Sequence, residues 1–552
     1  MNSARCSKHP SGRMRSGLLG AILVVLGAAD FAQAAVNISD KPTKHMSCSA
    51  GVCSPTAKKA VLNATDLANL LQAADVTVTT GSGAITIEIT SALSWASAGR
   101  LTLDANCNVS VKAPVTVAGP GGLTIVTNIG GSGCDLLFFP GGKIDFWDLG
   151  SSLIINGNAY GLAGNIRQLK SKIVANPSGS YALTKDYDAA VDGTHPMPPI
   201  PMAFSGAFEG LGHAISNLTI KDSRRDSCIG FFATNSGTVR DISLTNANVS
   251  ATRAGKSVGT LVGCNTGAIR NASADGVVHG VLEDNVGGLI GNNAGSIVNA
   301  GADVAATGDN SVKGKGEEKI GGLAGLNSGD VSQSHAAGAV TAAQGSFAGG
   351  LIGWSTTGQI YRSYATGLVS HAGTCCGGHA YAGGLVGAGN NIAQSFATGG
   401  VTAGNGWDNG GTELIMHAGG LVGAGSNIVD SYALGTVQAG THSIVGGLVA
   451  RGDSIGQSYS TAAPTGDDYT GGLVGYDPDA AGPFANTDWD LDTSGIGDPS
   501  QGAGNIANDA GITGLSDAQL KSALPAGFDP AIWGQNASIN NGYPYLLANL
   551  PP

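Results

Sequence analysis

Two rhythms of apolar residues divide this chain. Between Val76 and about Ile155, apolar and polar residues alternate in short runs: Val76-Thr77-Val78, Ile85-Thr86-Ile87-Glu88-Ile89, Leu101-Thr102-Leu103, Val109-Ser110-Val111, Val115-Thr116-Val117 and Leu123-Thr124-Ile125. A period of two, with Gly and Asn close behind each run, predicts short strands. The gaps are too short for crossover helices, so stacked parallel coils fit better than a doubly wound sheet.

The second rhythm is longer. A leucine recurs at Leu261, Leu289, Leu323, Leu351, Leu385, Leu421, Leu448 and Leu473, 25 to 36 residues apart, with Phe231 as a degenerate earlier copy. This is the period range of solenoids and propellers. In the copy Ala382–Val401, Leu385 sits in a Gly-Gly-Leu-Val-Gly station, Ile392 follows as a second station, Phe396 comes four residues later, and Val401 is a third. Leu385, Ile392 and Val401 are expected to point inward, with Phe396 stacking. Three short strands per unit describe a three-sided coil, with Gly supplying positive-φ corners and Asn tolerating them. Each strand pairs with its equivalent one layer up, about 4.8 Å away, and nine layers make a rod of roughly 40 Å. The predicted fold is all-β: a right-handed parallel β-helix, or three-sided β-solenoid, with short capping helices.

Boundaries follow from where the rhythms stop. Residues 1–34 read as a secretory signal, with a basic start through Arg15, the apolar run Leu18–Ala29, and small residues at Ala32-Gln33-Ala34. Residues 35–59 read as a flexible lead-in, and 60–200 as an N-terminal β-helical region with a cap and a connector ending in Pro196–Pro201. The repeat solenoid takes 201–476 and a C-terminal cap 477–552. Helices are expected at Asp66–Ala74, capped by Thr65, within Gly161–Ala175, and at Ser516–Leu524, where Ser516 and Gln519 make a capping box. Trp533, Tyr543 and Tyr545 are expected to seal the last coil. Unit length varies mainly between the third station and the next Gly-Gly, so insertions should emerge at one corner.

Composition narrows this picture. Gly accounts for 89 of 552 residues, charged residues for 12% and aromatic residues for 5%. Small side chains bury little each, so the chain needs many thin layers rather than one thick core. The net charge is −11, and removing the leader leaves 24 basic against 38 acidic residues, or −14. That argues against nucleic-acid binding, which wants a basic stripe.

Gly-Gly-Leu-Val-Gly followed by Asn-x-Ile-x-x-Ser-Tyr/Phe-Ala resembles the GLUG motif of filamentous-haemagglutinin-like secreted bacterial proteins, most clearly at Gly349–Val369 and Gly383–Val401. The alternating segment Val76–Ile155 and the opening run Phe204–Ile220 are similar to the β-helical part of such proteins. The tail, around Gly527–Trp533 and Asn541–Leu547, is similar to the segment that closes their arrays. The resemblance implies an exported or cell-surface adhesin whose partner is a host or environmental surface, glycan or protein, with an outer-membrane export partner as one route. It implies no cofactor.

Few residues suggest chemistry. Cys48/Cys53 and Cys107/Cys134 are candidate disulfides, while Cys228 and Cys264 read as small buried hydrophobes. His371, Cys375, Cys376 and His379 gather four possible zinc ligands in one insertion, but adjacent cysteines fit a tetrahedral zinc site poorly. Arg451-Gly452-Asp453 falls where an exposed recognition turn would lie, or is drift of the Gly-rich turn. Asp488, Asp490 and Asp492 are the carboxylates that a rival reading, a carbohydrate-active β-helix enzyme, would use. No His-Glu-x-x-His occurs and Asp is not periodic in the array, so a zinc peptidase and calcium nonapeptide repeats are both unsupported. The favoured expectation is a non-enzymatic adhesin or surface spacer, and a third reading is a passive matrix protein.

Overall fold

The computed structural model describes residues 35–82, 84–127, 133–224, 228–281, 284–309, 318–374, 380–408, 413–479 and 483–552. The expected signal at 1–34 lies outside them. The chain is a parallel β-solenoid with a few short helices, as the two rhythms predict.

In the first half, each coil carries three short strands in register with the next: Leu93–Trp95, Val115–Val117 and Ile144–Phe146 stack on one side, Arg100–Asp104, Gly122–Val126 and Ser152–Ile155 on another. Their apolar residues fill an N-terminal core. Residues 35–59, expected as a flexible lead-in, form strands instead. Ala35–Ser39 inserts between Ala60–Asn63 and Thr86–Ile89, because Val36 and Ile38 complete the apolar face of that sheet. Met46–Ser49 and Val52–Pro55 form a hairpin closed by the Cys48–Cys53 disulfide. Helix α1, Ala64–Ala73, is capped by Asn63 rather than Thr65 and buries Leu67 and Leu71.

Strand direction reverses at Asn156-Gly157, both at positive φ (47° and 81°), so Asn158–Ala163 runs antiparallel to Ser152–Ile155. An Asn-Gly pair with both residues left-handed is the type I′ hairpin signal. The first apolar core runs through this hairpin to Leu162 and takes in Ala182 and Leu211, and the second begins at Ala163 and Ile166. Helix α2, Ile166–Ala175, packs Ile166, Leu169 and Ile173 into the second core at its start.

The second half has three sheets, but five strands per late coil rather than three. One coil runs Phe347–Gly349, Ile352–Ser355, Ile360–Tyr361, Tyr364–Ala365 and Val369–His371. The Gly-Gly-Leu station is therefore a corner joining two strands. Phe347–Gly349 lies in a nine-stranded sheet and Ile352–Ser355 in a ten-stranded one, and the last three strands lie in the broad third sheet. The repeating leucines form a ladder: Leu351 N–H donates to Leu385 O at 2.8 Å, Leu385 to Leu421 at 2.8 Å and Leu421 to Leu448 at 2.8 Å. Each carbonyl takes a second donor, as Ile352 N–H does at Leu385 O (3.1 Å).

The station's glycines serve close approach, not positive φ. A Cβ on Gly383 would lie 1.9 Å from Val386 O, one on Gly384 2.0 Å from Gly420 O, and one on Gly387 2.5 Å from Gly353 O. The left-handed positions belong to other residues. Two residues after each second station sit Asp241, Asn271, Asn299, Gln333, Arg362, Gln394, Asp430 and Gln457, all with φ between 43° and 55°.

Two buried polar ladders run with the leucines. Asn235, Asn265, Asn293 and Asn327 each pass an amide N–H to the next, the first three links at 2.7 Å, and Asn327 ends on Ser355 Oγ at 3.1 Å. Ser363, Ser395 and Ser431 accept backbone N–H groups from the coil before and donate to the carbonyl two residues back.

Leu385, Ile392 and Val401 lie in the main core, but Phe396 does not. It belongs to an outward stack, His335, Tyr364, Phe396, Tyr432 and Tyr459, with ring centroids 4.8–5.2 Å apart and planes within 11°. The last segment covers this stack instead of sealing the coil end. After helix α3, Leu491–Ser494, and helix α4, Asp517–Ser522, which has the predicted capping box, the chain folds back along the flank. Trp533 Nε1 donates to Asp430 (3.0 Å), Tyr459 Oη to Pro544 O (2.7 Å) and Asn549 to Gln394 O (3.0 Å). Trp489, fully buried and packed against Gly472, fills the end of the main core.

These contacts set a contrast. Gly387→Ala forces a Cβ into backbone and should lower stability by about 1–3 kcal/mol or more. Gln457→Gly should leave stability unchanged or raise it by up to about 1 kcal/mol, since it removes a left-handed side-chain residue. Denaturant midpoints of the two variants against the parent chain check both.

Candidate functional site

On the outer face of the ten-stranded sheet one residue per coil forms a row: Leu326, Trp354, Ala388, Ala424, Arg451 and Tyr476, paired in register. Two small members between larger ones leave a groove of about 420 Å³. Ala388-Gly389 and Ala424-Gly425 make its floor, Trp354 one end, and Arg451, Asp453 and Pro478 the other, with Asn390 and Ser426 at the side. The Trp354 ring stacks on Phe347 at 5.0 Å, and the Arg451 guanidinium lies 5.9 Å from the Tyr476 ring centre.

The predicted recognition tripeptide thus forms one wall of this groove. Its backbone is built into the ladder rather than carried on a projecting loop: Gly425 N–H donates to Arg451 O at 3.0 Å, and a Cβ on Gly452 would lie 1.9 Å from Gly425 O. Arg451 is exposed, Asp453 half-buried and Gly452 buried. Sequence reasoning missed the groove, whose signal is the drop from Trp354 to alanine at one register position in two successive copies.

Other candidates have structural roles. Cys48–Cys53 and Cys107–Cys134 are disulfides, and so is Cys228–Cys264, read from sequence as buried hydrophobes. Their positions in neighbouring coils bring them together across 36 residues. Cys375, Cys376 and His379 lie outside the described residues. His371 is fully buried: its Nδ1 accepts from Gly373 N–H (2.9 Å) and its Nε2 meets Ser346 Oγ at 2.9 Å. Burial pushes its pKa down to about 4. Asp490 Oδ1 caps α3 through Asp492 and Thr493, while its Oδ2 accepts from Tyr543 at 3.3 Å. Asp492 accepts from Asp517 N–H at 2.8 Å, and burial lifts Asp488 to about 7. Trp407 is 39% exposed and begins a short hairpin between coils, Trp407–Asp408 with Glu413–Leu414. Among the described residues no group of three or more His, Cys, Asp or Glu could hold a metal.

Buried acids gather along the edge where the insertions leave. Asp284 accepts from Lys256 N–H (2.7 Å) and Val281 N–H (2.8 Å), and Glu318 is 1% exposed with no hydrogen-bond partner for either oxygen among the described residues. Burial raises Asp284 to about 7. Burial, with Asp284 and Asp309 adding like charge, raises Glu318 to about 8. Lys256, close to Asp222, is the cation beside Asp284.

No family model matches the chain. An 87-residue stretch is 37% identical to halomucin from Haloquadratum walsbyi (strain DSM 16790 / HBSQ001), covering 15% of this chain and 1% of that protein. Among solved structures, a candidate immunoglobulin A1 protease from Bacteroides ovatus aligns at a TM-score of 0.31 and 19% identity, covering 71% of this chain and 93% of that one. An IgA1 protease aligns at 0.28 and 17%, covering 62% of this chain and 23% of its own. Likeness at this level carries neither fold nor activity across. The class rests on the chain's own geometry: a parallel β-solenoid with three disulfides among the described residues, the cysteine usage of an extracellular protein.

The buried acids fix a pH dependence. Folded pKa values raised above the unfolded ones mean stability is full at low pH and falls as pH rises toward them. From about pH 4.5, above the ordinary values of the unfolded carboxyls, up to about pH 8, where Asp284 and Glu318 have lost their protons in the folded chain as well, the melting temperature should drop, and it should level off beyond. Glu318→Gln should remove much of that slope and match or exceed the parent at pH 8. Melting curves of both proteins across this window check it.

Proposed function

We propose that the chain is an exported adhesin-like rod, working by repeated weak contacts with a host or environmental surface rather than by catalysis. The observation that carries this reading is register: outward side chains repeat once per coil, in straight rows about 4.8 Å apart. A rigid array of weak sites gains avidity by engaging several ligands at once. The Gly-Gly-Leu-Val-Gly repeats, similar to GLUG-motif adhesins, support the same reading, as do the leader-like residues 1–34 and the disulfides. The commitments of Asp490 and Asp492 to helix caps and backbone favour binding over glycoside hydrolysis.

The test is attachment. A strain lacking this chain should lose adherence to its surface, and purified chain should bind immobilised ligand more tightly as ligand density rises. Binding independent of density, or release of reducing ends that disappears in Asp490→Asn, would overturn the reading.

A further inference from the structure

We propose that the groove between Trp354 and Arg451 is a saccharide-binding site, taking a short segment of neutral, hydroxyl-rich glycan along the solenoid axis. The inference deepens the adhesin reading and rests on it.

Three observations meet here. The first is shape. Three coil steps separate Trp354 from Arg451, or about 14 Å at the usual strand spacing. A floor of Ala388, Gly389, Ala424 and Gly425 under about 420 Å³ of space accommodates two or three sugar rings at roughly one ring per coil.

The second is free hydrogen-bonding capacity. Most polar side chains of the repeat are spent in ladders, as the Asn235–Asn327 and Ser363–Ser431 series show. Around the groove this changes. Asn390 accepts Ser426 N–H at 2.7 Å with Oδ1, leaving its amide N–H groups uncommitted. Trp354 Nε1, the Arg451 guanidinium and the Asp453 carboxylate also have no hydrogen-bond partner among the described residues. Donors and an acceptor thus converge where hydroxyls, which do both, fit best.

The third is the aromatic end. Trp354 is held by its stack on Phe347, with Lys319 Nζ 5.6 Å from its ring centre, and keeps part of its surface at the groove. A rigid aromatic surface beside polar groups suits the apolar C–H face of a sugar. The Tyr476 ring steadies Arg451 in the same way at the far end. One positive and one negative side chain at the same end, Arg451 and Asp453, favour a neutral ligand over an acidic one.

The test uses the full chain and an array of neutral di- to tetrasaccharides built from glucose, galactose, mannose and N-acetylglucosamine beside acidic ones that contain uronic acids, followed by calorimetry on any that bind. Asp453→Asn and Arg451→Gln should each weaken binding by roughly tenfold, the worth of one lost charge-assisted hydrogen bond. Trp354→Ala should weaken it at least as much, but it also removes a packed ring. Ala388→Leu therefore serves as the second arm. It copies Leu326 in the same row, fills the floor, and should abolish binding with an unchanged melting temperature. No binding by the parent chain, binding confined to acidic saccharides, or binding unaffected by Ala388→Leu would each overturn the site. Attachment of the parent chain to its surface would persist if only this site were wrong, and would be absent if the adhesin reading itself failed.

Discussion

The close approach of two glycine-lined sheets is the constraint on which the rest depends. In most repeats three glycines stand where a Cβ would meet neighbouring atoms, as Gly383 does at the carbonyl across the corner, Gly384 at the carbonyl one coil on and Gly387 at the neighbouring sheet, while Thr260 and Ala450 each take one of these places in the Leu261 and Leu448 copies. At Gly383, Gly384 and Gly387 backbone already fills the space a Cβ would take. The corner can then turn tightly enough for Leu385 to reach the core and for its carbonyl to take two donors from the coil before. The high glycine content follows from packing rather than from chain flexibility. The backbone entropy that glycine loses on folding is offset by a continuous ladder of hydrogen bonds and by a fully buried leucine in every coil.

The same stacking explains the polar rows. A residue repeated once per coil meets its own kind about 4.8 Å away, so an asparagine finds an asparagine and an aromatic ring finds a ring. Inside, the Asn235–Asn327 series satisfies every rung until Ser355 ends it. Outside, rings stack from His335 to Tyr459 and would expose a long apolar strip. The chain's last segment covers it, with Trp533 and Phe528 against Tyr459. The C-terminal segment therefore protects a flank, while Trp489 closes the core.

Much of this was legible in the sequence. Leu385, Ile392 and Val401 show the inward positions because burial imposes a period, and Ser516 with Gln519 announces α4 through a local rule. What could not be read depends on neighbours distant in sequence. Glycine and asparagine were expected at positive φ, yet left-handed corners also hold Gln333, Arg362, Gln394 and Gln457, since a fixed ladder on either side imposes the backbone there. Cys228 and Cys264 looked like core residues because their pairing depends on coil register. Arg451-Gly452-Asp453 looked like a separate turn, and coil stacking instead joins it to Trp354 and Asn390 in one groove. The candidate site was illegible because it lies across copies, where no single copy displays it.

The most direct measurement of the central claim is a set of distances along one exposed row. Thr341, Ser370, Thr402, Gln438 and Thr465 are in register on successive coils. Spin-label pairs placed at Thr341 with Thr402, Gln438 or Thr465 should give backbone separations of about 10, 14 and 19 Å, rising by one strand spacing per coil. The cysteines outside the three disulfides are changed to serine for this purpose. Separations that level off, or that rise and fall with repeat number as they would around a ring, would contradict a solenoid built on stacked glycine corners.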